Sequence, residues 1–307
     1  RADQVAQTSW SAYYQNTLQW AEKFRSVAGL RGDFQRFHIA SSLAENSGDT
    51  SDHLFSPKLS LVFGPWQKTE YFLNLGYGFH SNDARGTVIT FDPKTLAPVD
   101  QVTPLVRAKG AEIGVRTAWL PGLQSSLSLW RLDVASELLF VGDAGTTEAS
   151  RPTRREGVEW ANFWHPADWL MVDADLALSR SRFSDDAPVG NLIPGAIEKT
   201  LSAGIVVNQA QGWNGGIRLR YFGPRPLTED DSVRSKSSLL LNTRLGYRFE
   251  RSWHVMLDVY NLLGRQVSDI DYYYVSRLPG EPADGVSDFH SHPAEPRAVR
   301  LSVSMNF

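Results

Sequence analysis

The sequence predicts an all-β fold, an antiparallel transmembrane barrel, and three patterns predict it. The final segment, residues 297–307, alternates strictly: from Val299 onward the odd positions are apolar and the even ones small or polar. Its length matches the roughly 9–11 tilted residues that a strand needs to cross a bilayer. The rest of the chain repeats such strands, joined by short turns and long loops in turn. A sandwich with one solvated face is the alternative, but it gives no reason to keep long loops at one end.

Composition agrees with a barrel and excludes other classes. The chain of 307 residues is 42% apolar and has ten Trp and ten Tyr, enough for two aromatic girdles. Mean hydropathy is −0.30, and no apolar run approaches the roughly 18 residues of a membrane helix. A net charge of −3 gives no basic surface for nucleic acid, and the lack of cysteine excludes disulfides and thiolate sites.

In chain order, the period of two predicts thirteen strands, as six pairs and one terminal strand. Each pair flanks a short turn. The predicted strands are residues 10–18 and 27–39, 54–63 and 69–79, 107–119 and 123–140, 157–164 and 169–179, 200–207 and 213–222, 239–249 and 253–260, and 297–307. The connections between pairs are long, covering residues 40–53, 80–105, 141–156, 180–199, 223–238 and 261–296. One end of the barrel is therefore expected to carry short turns and the other end long loops.

An odd strand number has a consequence. Closed single-chain bacterial barrels normally have an even number of strands, with both chain ends on the short-turn side. With thirteen strands, the first strand would begin on the long-loop side of the barrel. We therefore expect at least one more strand before Arg1, unless an additional strand within residues 85–105 makes the count even.

Charged residues occupy the second face of the predicted strands. Ala111, Ile113 and Val115 alternate with Glu112 and Arg116, and other strands repeat this arrangement. Such charges need water, so the enclosed side is predicted to be a wet lumen in which arginines pair with carboxylates, including Glu159 and Asp258. The residues predicted to face the lumen are Glu112, Arg116, Asp173, Asp175, Arg218, Arg220, Arg244, Arg248 and Arg300.

Five segments, together with the terminal strand, carry a family resemblance. They are residues 76–86 (GYGFHSNDARG), 130–144 (WRLDVASELLFVGDA), 221–226 (YFGPRP), 258–263 (DVYNLL) and 271–282 (DYYYVSRLPGEP). These segments resemble the barrel of TonB-dependent outer-membrane receptors, and the resemblance covers essentially the whole chain.

The resemblance implies a 22-stranded barrel filled by an N-terminal plug domain, in the outer membrane of a Gram-negative bacterium. Such receptors import siderophores, cobalamin or sugars with energy from the TonB complex, received through an N-terminal box. The implied partners are membrane lipid, the TonB complex, the plug domain, the small-molecule ligand and the barrel-assembly machinery. The charged residues of the lumen would bind the plug, and the assembly machinery would recognise Phe307. Because the sequence shows no signal peptide, TonB box or plug, we expect residues 1–307 to be a partial barrel, its last thirteen strands, unable to transport alone. No cofactor is expected.

Candidate ligand contacts fall at three places in the long loops. His80, Asn82, Asp83 and Arg85 follow one strand, and Arg225 lies in the YFGPRP segment. Asn, Asp and the neighbouring Gly86 are also common turn formers, so ordinary loop structure is the alternative.

The last long loop supplies the other candidates. Tyr272, Tyr273 and Tyr274, beside Asp269 and Asp271, suit siderophores or sugar rings, and they suit an upper aromatic girdle equally well.

His290 and His292 complete the candidate ligand-binding residues. With Asp288 they have an alternate spacing that could present two imidazoles and a carboxylate to a metal. A polar extracellular loop explains them as well, and no metal site is predicted.

Two other functions remain as alternatives. A passive porin would share the barrel, and the sequence upstream would separate it from a gated receptor. An outer-membrane hydrolase would need a serine, a histidine and an orienting group, and Ser287 with His290 is one example of such a pair, although serines and histidines are common in loops. No GxSxG, phosphate-binding Gly-rich or HExxH motif occurs, so an enzyme is not expected.

Overall fold

The computed structural model describes residues 2–93, 95–141, 146–149, 151–209, 211–249 and 253–305. Seventeen strands and two short 3-10 helices, Ala44–Asn46 and Ala84–Thr87, make up its regular structure. The strands are β1 (Asp3–Ala21), β2 (Phe24–Ser41), β3 (Gly48–Trp66), β4 (Thr69–Ser81), β5 (Leu105–Thr117), β6 (Leu123–Val134), β7 (Leu138–Val141), β8 (Thr146–Ala149), β9 (Thr153–Ala167), β10 (Leu170–Phe183), β11 (Lys199–Asn208), β12 (Gly212–Phe222), β13 (Ser238–Phe249), β14 (Trp253–Tyr260), β15 (Ser268–Ser276), β16 (Val286–Pro293) and β17 (Ala298–Met305).

Thirteen of these strands form one antiparallel sheet. Its order is β1-β2-β3-β4-β5-β6-β9-β10-β11-β12-β13-β14-β17, and the two other sheets are the hairpins β7–β8 and β15–β16. Every predicted strand overlaps one strand of the large sheet, so the predicted fold and its alternation of short and long connections are confirmed. The large sheet is not closed, because β1 and β17 are its two edges.

The predicted strand 123–140 is too long. In the structure β6 ends at Val134, and the chain then leaves the large sheet to enter the hairpin β7–β8. Glu137 explains the departure, because its carboxylate forms an ion pair with Arg155 at 2.9 Å and accepts a hydrogen bond from Thr153 Oγ1 at 2.8 Å. These contacts hold the chain beside the start of β9.

Two long connections also differ from expectation. Residues 261–296 contain the hairpin β15–β16, which the sequence analysis treated as loop. The possible extra strand in residues 85–105 is not found in the described part of that segment, which has the end of a 3-10 helix and one isolated bridge between Phe91 and Pro98. The count in the large sheet therefore stays odd.

The register of the large sheet separates its two faces. One face, here called the apolar face, carries rows such as Leu73, Ile113 and Leu129, which lie opposite one another on β4, β5 and β6. Ile113 is 58% exposed and Leu129 54% exposed, so no second layer covers them. Exposed apolar surface that extends across a whole sheet is what lipid contact requires.

Aromatic side chains mark the short-turn end of the apolar face. Phe24 stacks on Phe63 with ring centroids 4.9 Å apart, and Trp213 meets Tyr247 edge-on at 5.1 Å. Tyr and Trp favour the membrane–water interface, where the ring is buried and its polar atom stays wet. This belt has the position of a lower aromatic girdle.

The opposite face, here called the polar face, is partly covered at its long-loop end. The 3-10 helix Ala84–Thr87 lies there, and its Ala84 joins Val88 in a buried cluster with Phe37 and Ile39 of β2. Asn46 fixes the same connection, because its side-chain oxygen accepts hydrogen bonds from the backbone N–H groups of residues 90 and 91 at 2.9 and 3.0 Å. The long connection after β4 thus folds back over the polar face.

Among the helices that the described ranges contain, none has the length and hydropathy to cross a membrane.

Candidate functional site

The polar face carries a network of ion pairs that the register produces. Glu70 and Arg116 lie directly opposite each other on β4 and β5. The Glu70 carboxylate pairs with Arg116 at 2.6 Å and with Arg25 of β2 at 2.7 Å. One carboxylate therefore joins β2, β4 and β5 across the intervening β3.

A second pair spans three strands because a glycine leaves room for it. Arg218 of β12 reaches Asp173 of β10 at 2.6 Å, across Gly204 of β11. A Cβ atom at Gly204 would lie 2.8 Å from Asp173 Oδ1 and 2.9 Å from Arg218 Cζ. Any larger residue at this position would push the pair apart. Asp173 is buried, whereas the Arg218 side chain is half-exposed.

The remaining residues predicted to face the lumen also lie on the polar face, each with its own neighbour. Glu112 accepts a hydrogen bond from Asn74 at 2.9 Å, and Arg244 pairs with Asp258 at 2.5 Å. The other contacts are an ion pair from Arg220 to Asp269, a hydrogen bond from Arg248 to the Gln209 carbonyl, and Arg300 over the Tyr260 ring. Asp175 lies opposite Ala161 and Ser202.

A large cavity lies over this network near the short turns. Its volume is about 970 Å³, and Lys68, Glu70, Arg116, Asp173, Asp175 and Arg218 contribute to its lining. The Arg116 and Arg218 side chains remain about half-exposed there although each is paired. Guanidinium groups in this state still have donors for another surface.

The hairpin β15–β16 gathers most of the aromatic and imidazole candidates. Tyr272 lies opposite His290, and one face of the hairpin carries Tyr272, Tyr274, His290 and His292, here called the Tyr–His face. Tyr274 stacks on His290 with centroids 3.8 Å apart, and Tyr272 meets His292 edge-on at 6.5 Å. These four rings form a continuous, partly exposed aromatic surface.

Tyr273 is separated from that surface. It points to the other face of the hairpin, where its ring packs against Phe289 with centroids 5.3 Å apart. Asp288 shares the face of His290 and His292, but no group of three His, Asp or Glu side chains that could hold a metal occurs in the part of the chain that the structure describes.

Arg225 anchors the hairpin. It is buried, it pairs with the Asp271 carboxylate at 3.5 Å, and it donates a hydrogen bond to the Asp269 carbonyl at 3.2 Å. Asp271 also accepts a hydrogen bond from Ser291 Oγ at 2.6 Å. The guanidinium of Arg225 is therefore used to fix β15 against the connection that follows β12.

The four candidates at the end of β4 and directly after it form a separate group, with His80 still inside β4 opposite Val106 of β5. Asp83 accepts hydrogen bonds from the backbone N and the Nε of Arg85, both at 2.9 Å. Asn82 is buried and donates to the Thr103 carbonyl at 2.7 Å, while His80 Nε2 is buried without a partner among the described atoms. Five strands of the sheet separate β4 from β12. The structure therefore divides the predicted ligand contacts into two groups and gives three of those after β4 local structural contacts.

A clamp between loops was missed by the sequence analysis. Arg151 pairs with Asp185 at 2.7 Å and with Glu229, and it also donates to the Gly190 carbonyl at 2.9 Å. It thereby joins the connections before β9, after β10 and after β12. No spacing in the sequence links these positions, so only the fold could reveal the clamp.

The clamp predicts a pH dependence. The hydrogen bond from Arg151 lowers the pKa of Asp185 below its usual range. A carboxylate with a lowered folded-state pKa contributes fully above its ordinary pKa of about 3.9, and this contribution is lost as pH falls through the lowered value. We expect pepsin cleavage within residues 184–198 to stay slow near pH ~4 and to accelerate near pH ~2.

Asp185→Asn should already accelerate that cleavage at the higher pH, because the amide cannot pair with the guanidinium. Asp186→Asn is the matched control, since Asp186 is exposed and has no place in the clamp. Equal cleavage of all three proteins at both pH values would contradict the assignment.

Comparison with known proteins places the chain in a family. The family model for the TonB dependent receptor-like β-barrel matches residues 1–262. The chain belongs to this family. The resemblance carried by the five sequence segments is thereby confirmed.

Solved structures of TonB-dependent receptors share the fold. The ferric-catecholate import receptor Fiu of E. coli in its closed form has a TM-score of 0.76 at 19% identity, and the ferric yersiniabactin uptake receptor FyuA of Yersinia pestis has 0.78 at 17%. The copper transporter OprC gives 0.74 at 18%. Each alignment covers 99% of this chain and 45%, 46% and 48% of the respective receptor. The chain therefore spans less than half the length of the receptors it matches.

Proposed function

We propose that this TonB-dependent receptor barrel forms part of the wall of a gated importer, which carries a scarce ligand across a Gram-negative outer membrane with energy from the TonB complex. The observation that carries the proposal is the sheet itself, with an exposed apolar face and an ion-paired polar face. Unpaired backbone groups are costly in lipid, so a membrane barrel cannot keep open edges. Further strands of the same receptor would pair with β1 and β17 and complete a 22-stranded barrel.

The polar face would hold a plug domain within the lumen. Arg116, Arg218 and Arg244 suit this role because each is fixed by a carboxylate while its side chain remains about half-exposed. Their free donors would bind backbone carbonyls or carboxylates of the plug in a site that water partly fills. Release of the plug would then open the channel without disturbing the wall.

The Tyr–His face would contact the ligand at the long-loop end. Four flat rings with polar atoms at their edges suit a ligand that has planar groups and hydrogen-bonding oxygens. Siderophores with aromatic groups and cobalamin fit this description, whereas a carbohydrate would stack the C–H face of a puckered ring on the aromatic rings. We favour a ferric siderophore because two of the compared receptors are named for ferric ligands. The group after β4, with His80, would contribute from a second position.

A growth assay tests the ligand assignment. The receptor that carries this chain is expressed in an iron-starved host that lacks its own receptors, and single ferric siderophores, cobalamin and maltooligosaccharides are supplied in turn. Growth on one siderophore is expected, and the double variant Tyr272→Ala with His292→Ala should weaken its binding about thirtyfold, since each ring contact contributes about 1 kcal/mol. Tyr273→Ala, on the other face, is the control. A response to cobalamin or sugar alone would overturn the siderophore assignment.

The passive porin stays the second candidate because the polar face leaves a cavity of about 970 Å³ beside the wall. Collapse of the proton gradient separates the two functions. Uptake by a TonB-coupled receptor should stop when a protonophore is added, whereas diffusion through a porin would continue. Uptake that persists would contradict energy coupling.

A further inference from the structure

On four neighbouring strands, β5, β6, β9 and β10, the apolar face of the sheet changes from apolar to charged side chains at the same distance from the short turns. Along the apolar face, Ile113, Leu129 and Leu178 lie toward the short turns, and charged side chains follow them toward the long loops. The register places these charges next to one another: Lys109 lies opposite Asp133, Asp133 opposite Arg154, and Glu156 opposite both Arg131 and Arg180. These residues are the outward charged patch: Lys109, Arg131, Asp133, Arg154, Glu156 and Arg180.

The patch has more cations than its own carboxylates can pair. Asp133 accepts from Arg131 at 2.9 Å and from Arg154 at 2.8 Å, so a single carboxylate serves two guanidiniums. The side chains of Lys109 and Arg180 are exposed and form no hydrogen bond or ion pair with another described residue. Glu156 is the second carboxylate and lies between Arg131 and Arg180. Four cations against two carboxylates leave an excess of positive charge.

An apolar groove leads up to this patch. Its volume is about 490 Å³, and Leu129, Val158 and Leu178 line it below Glu156 and Arg180. A smaller cavity of about 300 Å³ continues from the same two charged residues, between Arg154 and Arg182, and Asp185 and Asp186 also line it. Asp185 is already paired with Arg151, which lies outside the patch. The Nε atom of Arg182 is buried without a hydrogen-bond acceptor in the described part of the chain.

We propose that the outward charged patch and its groove bind a phosphate-bearing lipid of the outer leaflet. Arginine side chains bind phosphate through two parallel hydrogen bonds, and exposed Arg180 is free to do so. The exposed ammonium of Lys109 adds a second positive charge with its own hydrogen-bond donors. The groove accepts an acyl chain, because its lining is apolar and it lies on the face that meets lipid. Charges are tolerated at this level because it is where the apolar band ends.

The apolar groove favours a lipid over free phosphate as the ligand of this site. Inorganic phosphate would use the cations alone and would leave the apolar part of the site empty. The proposal requires the apolar face to meet the membrane, but it does not depend on TonB, on uptake or on the imported ligand.

Native mass spectrometry of the receptor that carries this chain tests the proposal. The probe is a diphosphorylated, acylated glucosamine disaccharide in detergent micelles, compared with the same glycolipid without its phosphates. The parent receptor should retain the phosphorylated form preferentially. Lys109→Gln with Arg180→Gln should weaken retention by about tenfold or more, the effect of losing two charge-assisted hydrogen bonds.

Two further variants make the test specific. Val158→Phe should also reduce retention, because it fills the groove without a change of charge. Arg36→Gln is the matched control, since Arg36 is an exposed arginine at the long-loop end of β2, outside the patch, and already faces Asp49 at 3.5 Å. Equal retention of both glycolipids, an unchanged double variant, or full displacement by inorganic phosphate would overturn the proposal.

Discussion

Arg225→Met is expected to release the hairpin β15–β16 from the connection that follows β12. The variant keeps most of the buried aliphatic contact but leaves the Asp271 carboxylate without its cation. The side chains of Arg225 and Asp271 are only 5% and 11% exposed. Removing one partner of a buried pair typically costs about 3–5 kcal/mol, because the other charge stays desolvated. Ser291 still donates to Asp271, so the loss should lie at the lower end of this range.

Hydrogen exchange of the amides in β15 and β16 measures this release. The effect should be confined to the hairpin, since the large sheet does not depend on the pair. A double variant, Arg225→Met with Asp271→Leu, should recover most of the protection, because a buried ion pair can be replaced by apolar groups at little cost. If the single and double variants exchange alike, the charge is not what holds the hairpin, and the Tyr–His face would need another anchor.

Leu257→Arg is expected to destabilise the barrel far more than Met256→Arg, although the two residues are neighbours on β14. Leu257 lies on the apolar face opposite Leu245 and Leu301. Met256 lies on the polar face and lines a cavity of about 430 Å³. An arginine on the lipid face costs about 2–4 kcal/mol near the middle of the bilayer, whereas an arginine on the polar face stays in water.

Urea unfolding of the receptor in lipid vesicles gives the comparison. The two variants add the same side chain and differ only in the face that receives it, so each is the control for the other. Similar losses for both would mean that the two faces of the sheet meet the same environment.

The thirteen strands could be predicted because a sheet with one apolar face and one polar face imposes a period of two on each strand. Residues 111–116 show it without exception. The hairpin β15–β16 was not predicted because it lies outside the large sheet, within a long connection where no such pattern is required. Three consecutive tyrosines then alternate between two faces, and only the register shows that Tyr272 and Tyr274 share one face while Tyr273 has the other.

The sequence could not predict which arginine pairs with which carboxylate. The pairs depend on the register of the strands and on glycines that leave space between the two side chains. The sequence identified Arg116 as a lumen residue, but its partner is Glu70, which lies opposite it on the adjacent strand. Arg218 reaches Asp173 only because Gly204 leaves the space between them. The prediction that these charges face a lumen and dock a plug remains a prediction.

Spin labels on β6 test most directly whether the apolar face meets lipid and the polar face meets water. Residues 1–307 contain no cysteine, so single cysteines at Gln124, Ser126, Leu127 and Leu129 add one labelling site each to this part of the receptor. In receptor-containing vesicles, labels at 127 and 129 should collide mainly with oxygen dissolved in lipid. Labels at 124 and 126 should collide mainly with a water-soluble nickel chelate. Equal access of the nickel chelate to all four labels would contradict the account.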